Sequence, residues 1–353
     1  GYINNAPNPK LRWEKTRDVK VALDFGLWKD RINGIVEAYW RKSKDCVTSE
    51  YVPVTTGFFN QSYNTSVLQN NGVEFSLSVA VLKSKDYNLS VSANVAWNQN
   101  KLKKYNSPNT SLALDKYVGY PMGAVFSGKY EGIDPETGMY KFKLRPDAVT
   151  NKDGYLREPN NYYYYLGTSV APFTGGFNLN FSYKNIGLSV GGSYSVKAKM
   201  VDNIESPAGY ELLSGSKLES IPTPHNDLYR NHLNVKREVR NRWTPENRTG
   251  VKYPRLIDAY GKKLGLDLTN PTLTTITRGA LLEDISYLRI NTIALSYSLP
   301  QRVLERINFS SAALNLTLNN FFTITKYSGI DPEVPGATYP VSRSVTIGLN
   351  VGF

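Results

Sequence analysis

Acidic side chains recur in two copies of one short motif, which makes this motif the first candidate for chemistry. The segments GIDPETG (132–138) and GIDPEVPG (329–336) carry four carboxylates at matching positions, Asp134, Glu136, Asp331 and Glu333. Carboxylate oxygens are ligands that Ca²⁺ accepts, but the spacing of an EF-hand loop is absent. Asp followed by Pro and then Gly is ordinary turn chemistry. We interpret both motifs as turns, and we predict neither a metal nor a cofactor.

Aromatic side chains offer a second kind of chemistry, because flat amphipathic rings can stack on sugar rings. Tyrosines cluster in NYYYYLG (161–167), and a tryptophan lies in the basic segment RNHLNVKREVRNRWTPEN (230–247). That segment could contact an anionic substrate, lipopolysaccharide or a partner protein. Packing in an aromatic belt and an ordinary solvated loop are the alternatives for these stretches. The candidate contacts for a substrate or a partner are Tyr162, Tyr163, Tyr164 and Trp243.

Catalytic arrangements are missing from the sequence. The single cysteine, Cys46, excludes an internal disulfide, and only His225 and His232 could serve as imidazole bases. Zinc-protease, phosphate-loop and dinucleotide fingerprints are missing, and nothing singles out two of the 30 acidic residues as a glycosidase pair. The formal charge of +12 comes from scattered Lys and Arg, which favours solvated loops over a nucleic-acid interface. We predict a protein that is not an enzyme and has no nucleic-acid partner.

The elements that position these residues are strands, because apolar and polar residues alternate with period two over long stretches. Soluble strands usually have about five or six residues, whereas about ten are needed to cross a bilayer. The polar faces are mainly Ser, Asn, Gly, Thr and Ala, which suits an enclosed lumen better than open water. Nine strands are predicted, over 19–27, 32–40, 71–82, 87–97, 173–183, 186–196, 293–299, 312–318 and 339–353.

The last predicted strand, YPVSRSVTIGLNVGF (339–353), continues its alternation to the final residue, although most chains end loosely. A barrel explains this ending, because in lipid every backbone group must be paired and only a closed barrel pairs a sheet completely. Tyr339 and Phe353, near the two ends of the strand, suit the aromatic belts at the membrane surfaces. We predict that this strand, with Val351 and Phe353 at its end, closes a barrel.

Long polar segments rich in Pro and Gly separate the predicted hairpins, at about 42–70, 99–172, 198–282 and 320–340. Outer-membrane barrels have short periplasmic turns and long external loops, so we predict that these segments are extracellular. Phe353 then lies on the periplasmic side. The register stays consistent if 99–172 hides an even number of further strands, with YVGYPMGAVFSGKY (117–130) as a candidate.

The order and spacing of several segments resemble the C-terminal part of SusC/RagA-like TonB-dependent outer-membrane transporters of Bacteroidetes. The resemblance extends over nearly the whole chain, although no single motif decides it. The segments are NPKLRWEKT (8–16), NNGVEFSLS (70–78), GIDPETG (132–138), FTGGFNLNFSYKN (173–185), NRWTPEN (241–247), YPRL (253–256), ISYLRINTIALSYSLP (285–300), NNFFTITKYSGIDPEV (319–334) and YPVSRSVTIGLNVGF (339–353).

This resemblance implies a fold, a function and a set of partners. The fold is an antiparallel transmembrane β-barrel of about 22 strands, of which this chain supplies the C-terminal part. Such proteins import oligosaccharides or oligopeptides, a SusD-like surface lipoprotein acts as their lid, and the TonB complex supplies energy through an N-terminal segment. Phe353 resembles the signal read by the barrel-assembly machinery. Contacts with outer-membrane lipid and lipopolysaccharide follow, as does a dimer of transporter–lipoprotein pairs.

The family's plug domain and TonB-contacting segment have no counterpart in this sequence. We expect the chain to be part of a longer polypeptide, because an open barrel edge would leave backbone groups unpaired in lipid, each costing roughly several kcal/mol. Three alternatives stay open, namely a passive porin, a soluble carbohydrate-binding β-sandwich and a secreted glycan hydrolase. A sandwich stays in solution without detergent, and only a hydrolase shows turnover.

Overall fold

A computed structural model describes residues 5–106, 117–136, 138, 140–147, 162–201, 240–251, 253, 278–335 and 339–353. Within these residues the regular secondary structure is almost entirely strand. The strands are β1 (Asn5–Ala6), β2 (Lys15–Leu27), β3 (Ile32–Tyr51), β4 (Asn60–Lys83), β5 (Tyr87–Tyr105), β6 (Ala124–Ile133), β7 (Tyr140–Lys143), β8 (Tyr163–Thr168), β9 (Phe173–Tyr183), β10 (Ile186–Val196), β11 (Lys199–Val201), β12 (Leu282–Asp284), β13 (Tyr287–Ser298), β14 (Ser311–Thr325) and β15 (Ser344–Gly352).

Helical structure is short in the same part of the chain. The helix α1 (Gln301–Arg306) joins β13 to β14, and single 3₁₀ turns cover Val54–Thr56 and Arg278–Leu281. Among the described residues, no helix combines the length and the apolar character that a membrane crossing requires.

One antiparallel sheet, which we call the wall sheet, contains the long strands in the order β15-β14-β13-β10-β9-β5-β4-β3-β2. The two-residue β1 joins it by pairing in parallel with β4. These nine long strands are the nine that the alternation predicted. The register is regular over most of each ladder, and bulges interrupt it at a few points such as Gly191/Gly192 and Ile290/Thr292. The alternating pattern therefore predicted the number of the described wall strands and the four hairpins β2–β3, β4–β5, β9–β10 and β13–β14.

One face of the wall sheet is apolar, and many of its described side chains are exposed. Val19, Val21 and Leu23 in β2 project from this face, and Leu23 is 65% exposed. At the other edge of the sheet Ile347 in β15 is 73% exposed, and it lies opposite Leu316 of β14. A β-sandwich packs a second sheet against such a face. The exposed apolar face therefore argues against the sandwich alternative and fits a surface that contacts lipid.

The other face carries small polar side chains that bond across strands. Ser189 donates to Asn180 over 2.8 Å, and Asn100 donates to Asn70 over 2.7 Å. Near the β2 edge the face also carries two ion pairs, Lys20–Glu37 and Arg41–Asp18, each at 2.7 Å. Because these groups satisfy one another and leave room for water, this face suits the inside of a passage.

Aromatic rings lie flat across glycines of neighbouring strands. Phe25 covers Gly34, which stands directly opposite it in the β2–β3 ladder, and a Cβ on Gly34 would overlap the ring. Tyr39 covers Gly72 in the same way on the polar face. Phe177 repeats the arrangement over its opposite residue in β10. Glycine in a strand interior here provides space for a ring from the next strand.

Several strands extend into the segments predicted as loops, so the loop boundaries at about 42–70, 99–172 and 320–340 are corrected. β3 continues to Tyr51 and β4 begins at Asn60, which leaves a connection of 52–59. β5 likewise continues to Tyr105, and β14 to Thr325. In these extensions the buried side chains include polar ones such as Glu50, Thr65 and Ser66, so the apolar–polar alternation fades although the ladder continues. Most of the predicted loop 198–282 lies outside the described residues.

The three strands described within 99–172 do not join the wall sheet. β6 pairs with β7 and β8 in a separate three-stranded antiparallel sheet, which we call the small sheet. β5 pairs directly with β9, so no described strand intervenes between them in the wall sheet. The candidate segment 117–130 does contain the start of β6, at Ala124. The prediction of hidden wall strands is therefore wrong for the described part of this segment, because β6 finds its partners in β7 and β8 instead.

A small apolar cluster lies at the end of the wall sheet where β10 and β14 end and β13 begins. β11 pairs with β12, and Ala198, Ile285 and Tyr327 pack together just beyond these strands. The turn at 278–281 packs on β6, where the backbone of Gly279 approaches Gly128 so closely that a side chain on Gly279 would overlap it. These contacts position the loop segments that carry the candidate functional residues.

Candidate functional site

A cleft of about 470 Å³ lies between β5 and the small sheet. Its lining includes side chains from both faces of β5, with Asn98 and Asn100 from one face and Gln99 and Lys101 from the other. Because neighbouring side chains of a strand point to opposite faces, a space lined by both sets lies at the edge of the strand. The lining across from β5 is Tyr120, Met122, Tyr165, Val170 and Pro172.

Beyond Trp97 the edge of β5 no longer pairs with β9, which begins at Phe173, and connecting segments bond to parts of it. The N–H of Asn98 donates to the carbonyl of Pro172 over 2.9 Å. The N–H of Leu102 donates to the carbonyl of Tyr120 over 2.9 Å, and the carbonyl of Leu102 accepts from the N–H of Gly119 over 2.7 Å. These bonds hold the two connecting segments, 117–123 and 169–172, at either end of the cleft.

Four aromatic rings support the far side of the cleft. Tyr120 and Phe126 meet edge to face with centroids 4.9 Å apart, and Tyr120 lies 4.9 Å from Tyr165. Tyr117 contacts the other edge of Phe126 at 5.2 Å. Burial raises the pKa of the Tyr165 phenol, so it stays protonated at neutral pH. Tyr165 nevertheless remains 41% exposed, so part of its ring faces the cleft.

The three predicted tyrosines lie next to Tyr165 but are more enclosed. Tyr162 is buried, and Tyr163 in β8 lies opposite Gly128 of β6. The hydroxyl of Tyr164 donates to the carbonyl of Leu144 over 2.8 Å. These three rings are not in the lining of the cleft, and their role as substrate or lid contacts stays a prediction. Sequence reasoning missed Tyr165 and Tyr120 as the exposed rings, although Tyr165 belongs to the same tyrosine run.

Trp243, the fourth predicted contact, is buried and joins two of the family-like motifs. Its indole Nε1–H donates to the carbonyl of Pro135, in the first acidic motif, over 2.9 Å. Its backbone N–H donates to the carbonyl of Tyr253 over 2.9 Å. Residues 230–239 of the basic segment lie outside the described residues. Trp243 therefore anchors the β6–β7 turn here, and its part in binding stays a prediction.

The first acidic motif has the geometry of a turn. A carboxylate oxygen of Asp134 accepts the N–H of Glu136 over 2.9 Å, and the carbonyl of Asp134 accepts the N–H of Gly138 over 2.8 Å. An aspartate that bonds the backbone two residues on is typical of turns. Among the residues that the structure describes, His, Cys, Asp and Glu form no group of three or more that could hold a metal ion.

The second acidic motif makes the same local bond and adds a buried ion pair. The N–H of Glu333 donates to Asp331 over 3.0 Å, as in the first motif. Arg289 of β13 reaches Asp331 with Nη2 at 2.5 Å and Glu333 with Nη1 at 3.2 Å. The other oxygen of Asp331 accepts the N–H of Val341 over 2.9 Å. Arg289 thus fixes the β14–β15 connection to the wall sheet, a role that sequence reasoning missed.

Electrostatics keep Asp331 ionised in this arrangement. Burial by itself raises the pKa of a carboxyl group, but hydrogen bonds from the N–H groups of Val341 and Glu333 and the charge of Arg289 outweigh it. The pKa of Asp331 therefore lies below its ordinary value. The Nε of Arg289 is buried without a partner in the described structure. The same connection is tied to β12, because Glu283 accepts the N–H of Ser328 over 2.8 Å.

The terminal strand covers Ser344–Gly352, so its predicted start at 339 is corrected, and within these bounds its residues alternate as predicted. Val351 lies opposite Ala312 of β14, and the apolar side chains of β15 continue the apolar face. Phe353 packs edge to face on Phe309 with centroids 5.1 Å apart, and its carbonyl accepts from the hydroxyl of Ser310 over 3.3 Å. The chain end is thus held against the α1–β14 connection. The role of Val351 and Phe353 in closure and assembly stays a prediction.

In the part of the chain that the structure describes, the remaining reactive side chains do not form a catalytic arrangement. Cys46 is buried in β3 as a free thiol. His225 and His232 lie outside the described residues. The chemistry that the described site supports is therefore binding through hydrogen bonds and aromatic faces.

Comparisons with known proteins agree on one family. No protein-family model matches the chain. The chain is 25% identical over 386 residues to TonB-dependent receptor P26 of Formosa agariphila, which covers 99% of the chain and 36% of the receptor. It is 25% identical over 371 residues to TonB-dependent receptor SusC of Bacteroides thetaiotaomicron, which covers 98% of the chain and 32% of SusC. The chain thus spans about a third of the length of the curated relatives it matches.

Solved structures extend this likeness to the fold. The structure of the RagAB peptide transporter matches with a TM-score of 0.75 and 27% identity, over 99% of the chain and 36% of that structure's chain. The RagAB peptide importer in its open-open state matches with a TM-score of 0.72 and 26% identity, over 100% of the chain and 36% of that structure's chain. The predicted fold class, an antiparallel transmembrane β-barrel, is confirmed. In sequence and in fold, this chain resembles the SusC/RagA-like TonB-dependent transporters, as its motifs predicted.

Proposed function

We propose that the full-length protein containing this chain imports large nutrients across the outer membrane, with energy from the TonB complex and a SusD-like surface lipoprotein as its lid. The observation that carries the proposal is the wall sheet, which combines a bare apolar face with a small polar opposite face. Its likeness to SusC and to RagAB supports the same function. The nutrients are oligosaccharides or oligopeptides.

The wall sheet accounts for passage through the membrane. Its ladders pair the backbone groups that lipid would otherwise leave unsatisfied, and its apolar face contacts the hydrocarbon region. The polar face borders a lumen in which Ser, Asn and Thr side chains already bond to one another, as Ser189 does to Asn180. Such a surface offers weak and exchangeable hydrogen bonds. A large polar solute can therefore pass along it without being trapped.

The loop-side structures supply binding and docking. We place the corrected connection 52–59, the small sheet and the β14–β15 connection on the extracellular side, together with most of 198–282. The anchoring of these segments by Trp243 and Arg289 favours a preformed rim on which a lipoprotein lid can close. One structural neighbour is named a peptide importer with open-open and closed-closed states, which supports a lidded mechanism and an oligopeptide ligand. Tyr162, Tyr163, Tyr164 and Trp243 remain our proposed substrate or lid contacts.

The experiment is an uptake assay in the native bacterium. A strain lacking the full-length gene is complemented with the intact gene, with a version lacking the TonB-contacting segment, or with an empty vector. Uptake of fluorescent oligopeptides and oligosaccharides is then measured in each strain. We expect uptake of one class only with the intact gene. Equal uptake without the TonB-contacting segment would instead indicate a passive porin.

A second assay tests the chain end. Deleting Phe353 from the full-length protein should lower the amount of heat-resistant folded barrel in isolated outer membranes, because the terminal aromatic is the proposed assembly signal. Phe322, which is exposed in β14, gives a matched control as Phe322→Ala. Unchanged folded protein after deletion of Phe353 would remove this role from the proposal.

A further inference from the structure

The edge of β5 in the cleft has unpaired backbone groups at one residue, Asn100. The backbone groups of Asn98 and Leu102 face the cleft, since both make hydrogen bonds to the segments that border it. Backbone groups of alternate residues in a strand point the same way, so those of Asn100 face the cleft as well. The structure describes no backbone partner for Asn100 on this side. Its side chain instead holds Met122, whose N–H it accepts over 2.8 Å.

Pro172 lies opposite Asn98 and closes the edge of β5 at that position. It accepts the N–H of Asn98, but proline has no N–H and cannot donate back to the carbonyl of Asn98. The ring of Pro172 occupies the position opposite that carbonyl, so the backbone groups open to a ligand here are the N–H and the carbonyl of Asn100. This is the pattern that an added antiparallel strand satisfies. The stretch from Asn98 to Leu102 spans roughly 13 Å, which is room for about three extended residues.

The remaining lining fits a peptide in the same place. The Tyr165 ring and the side chains of Met122 and Val170 give apolar surface for side chains, and Val170 is 60% exposed. Lys101 is the one Lys, Arg, Asp or Glu residue among the described lining, so the cleft favours an anionic group. A free peptide carboxylate supplies such a group. The cleft also falls within the usual range of ligand pockets, about 300–1,000 Å³.

We propose that this cleft binds an extended oligopeptide, which adds a short strand to the free edge of β5 at Asn100. The inference rests on the proposed import function and narrows its nutrient to oligopeptides. An oligosaccharide could stack on Tyr165 and bond to the side-chain amides. It lacks the alternating backbone donors and acceptors that the open edge matches.

The test is calorimetric binding to the purified full-length protein. The probes are pentaalanine with free ends, the same peptide with all peptide nitrogens methylated, and maltopentaose. We expect pentaalanine to bind, methylation to weaken it by at least about tenfold because the backbone donors are lost, and maltopentaose not to compete. No binding of pentaalanine, equal binding of the methylated peptide, or competition by maltopentaose would overturn the inference.

Variants locate the site. Val170→Trp should fill the cleft and abolish pentaalanine binding, whereas Val303→Trp, at a position 42% exposed in α1, should leave it unchanged. Unchanged binding to Val170→Trp would place the peptide elsewhere and reject this cleft. The uptake assay separates the two proposals. If nutrient uptake persists while these binding results fail, only the inference is lost, and if uptake itself fails, the import function is lost.

Discussion

The two acidic motifs begin with the same five residues but occupy different environments. At 132–136 the motif covers the end of β6 and the turn after it, and the indole N–H of Trp243 donates to the carbonyl of Pro135. At 329–333 the same five residues lie against the wall sheet, where Asp331 is buried with Arg289. In both, the aspartate accepts the N–H of the glutamate two residues on.

The two motifs differ in the distant side chain that contacts each turn. The local bond sets the shape of each turn, and a distant side chain decides what that turn is attached to. A neutral indole attaches the first motif, and a charged guanidinium attaches the second. Four predictions test whether this distinction has the energetic weight that the geometry suggests, from the largest effect to the smallest.

Arg289→Met should release the second motif. The substitution leaves Asp331 buried without its counter-charge, which costs about 3–5 kcal/mol in the free energy of opening the β14–β15 connection. Hydrogen exchange of the full-length protein should then show faster exchange in 326–335 and no change in 132–136. Arg41→Met, which breaks an exposed ion pair on the wall sheet, is the matched control. Protection in 326–335 that survives Arg289→Met would contradict the anchoring role.

Acidification should loosen the second motif by a smaller amount. The folded-state pKa of Asp331 is lowered, so its ionisation stabilises the fold fully above its ordinary pKa of about 3.9. That stabilisation is lost as the pH falls through the lower folded-state value. Exchange corrected for the intrinsic pH dependence should therefore rise in 326–335 below about pH 4. A flat profile down to pH 2 would show that the charge of Asp331 contributes nothing.

Trp243→Phe should loosen only the first motif. The phenyl ring fills much of the same space but cannot donate to the carbonyl of Pro135, so the loss is about 1 kcal/mol. Exchange should rise in 132–136 and remain unchanged in 326–335. Equal changes in both motifs would mean that the two turns are coupled, and the comparison between them would lose its basis.

Glu333→Gln should have the smallest effect. The side chain of Glu333 is 37% exposed and touches Arg289 at 3.2 Å, so neutralising it should cost no more than about 0.5 kcal/mol. Thermal unfolding of the full-length protein should shift by less than for Arg289→Met. A loss as large as that of Arg289→Met would show that Glu333, and not Asp331, is the main partner of the guanidinium.

The alternating pattern was enough to predict the wall sheet. Where one face of a strand meets lipid and the other meets a lumen, neighbouring residues such as Leu314 and Asn315 must differ in polarity. This difference is visible in the sequence as alternation. Beyond the apolar band, as at 42–51 in β3, one side of the strand is still buried but includes a polar residue, Glu50, so the apolar–polar period is lost. The ladder continues there because β4 is still alongside. The periodicity of the sequence therefore could not predict where these strands end.

The site was harder to predict, because its parts meet through distant contacts. Tyr165 could be found as an aromatic, but its exposure depends on how β8 pairs with β6. Arg289 stands out as the one charged side chain of β13, which was a usable signal. Its partner in 329–333 could not be read from spacing, since more than thirty residues separate them and the β13–β14 ladder brings them together.

The glycines beneath aromatic rings in the wall sheet have a consequence for mutational tolerance. Gly34 and Gly72 make no side-chain contacts of their own, yet any substitution would lift Phe25 or Tyr39 off the sheet. A raised ring would thicken the barrel wall on its lipid or its lumen side. Saturation mutagenesis should therefore show that Gly34 and Gly72 tolerate fewer substitutions than the large exposed residues around them.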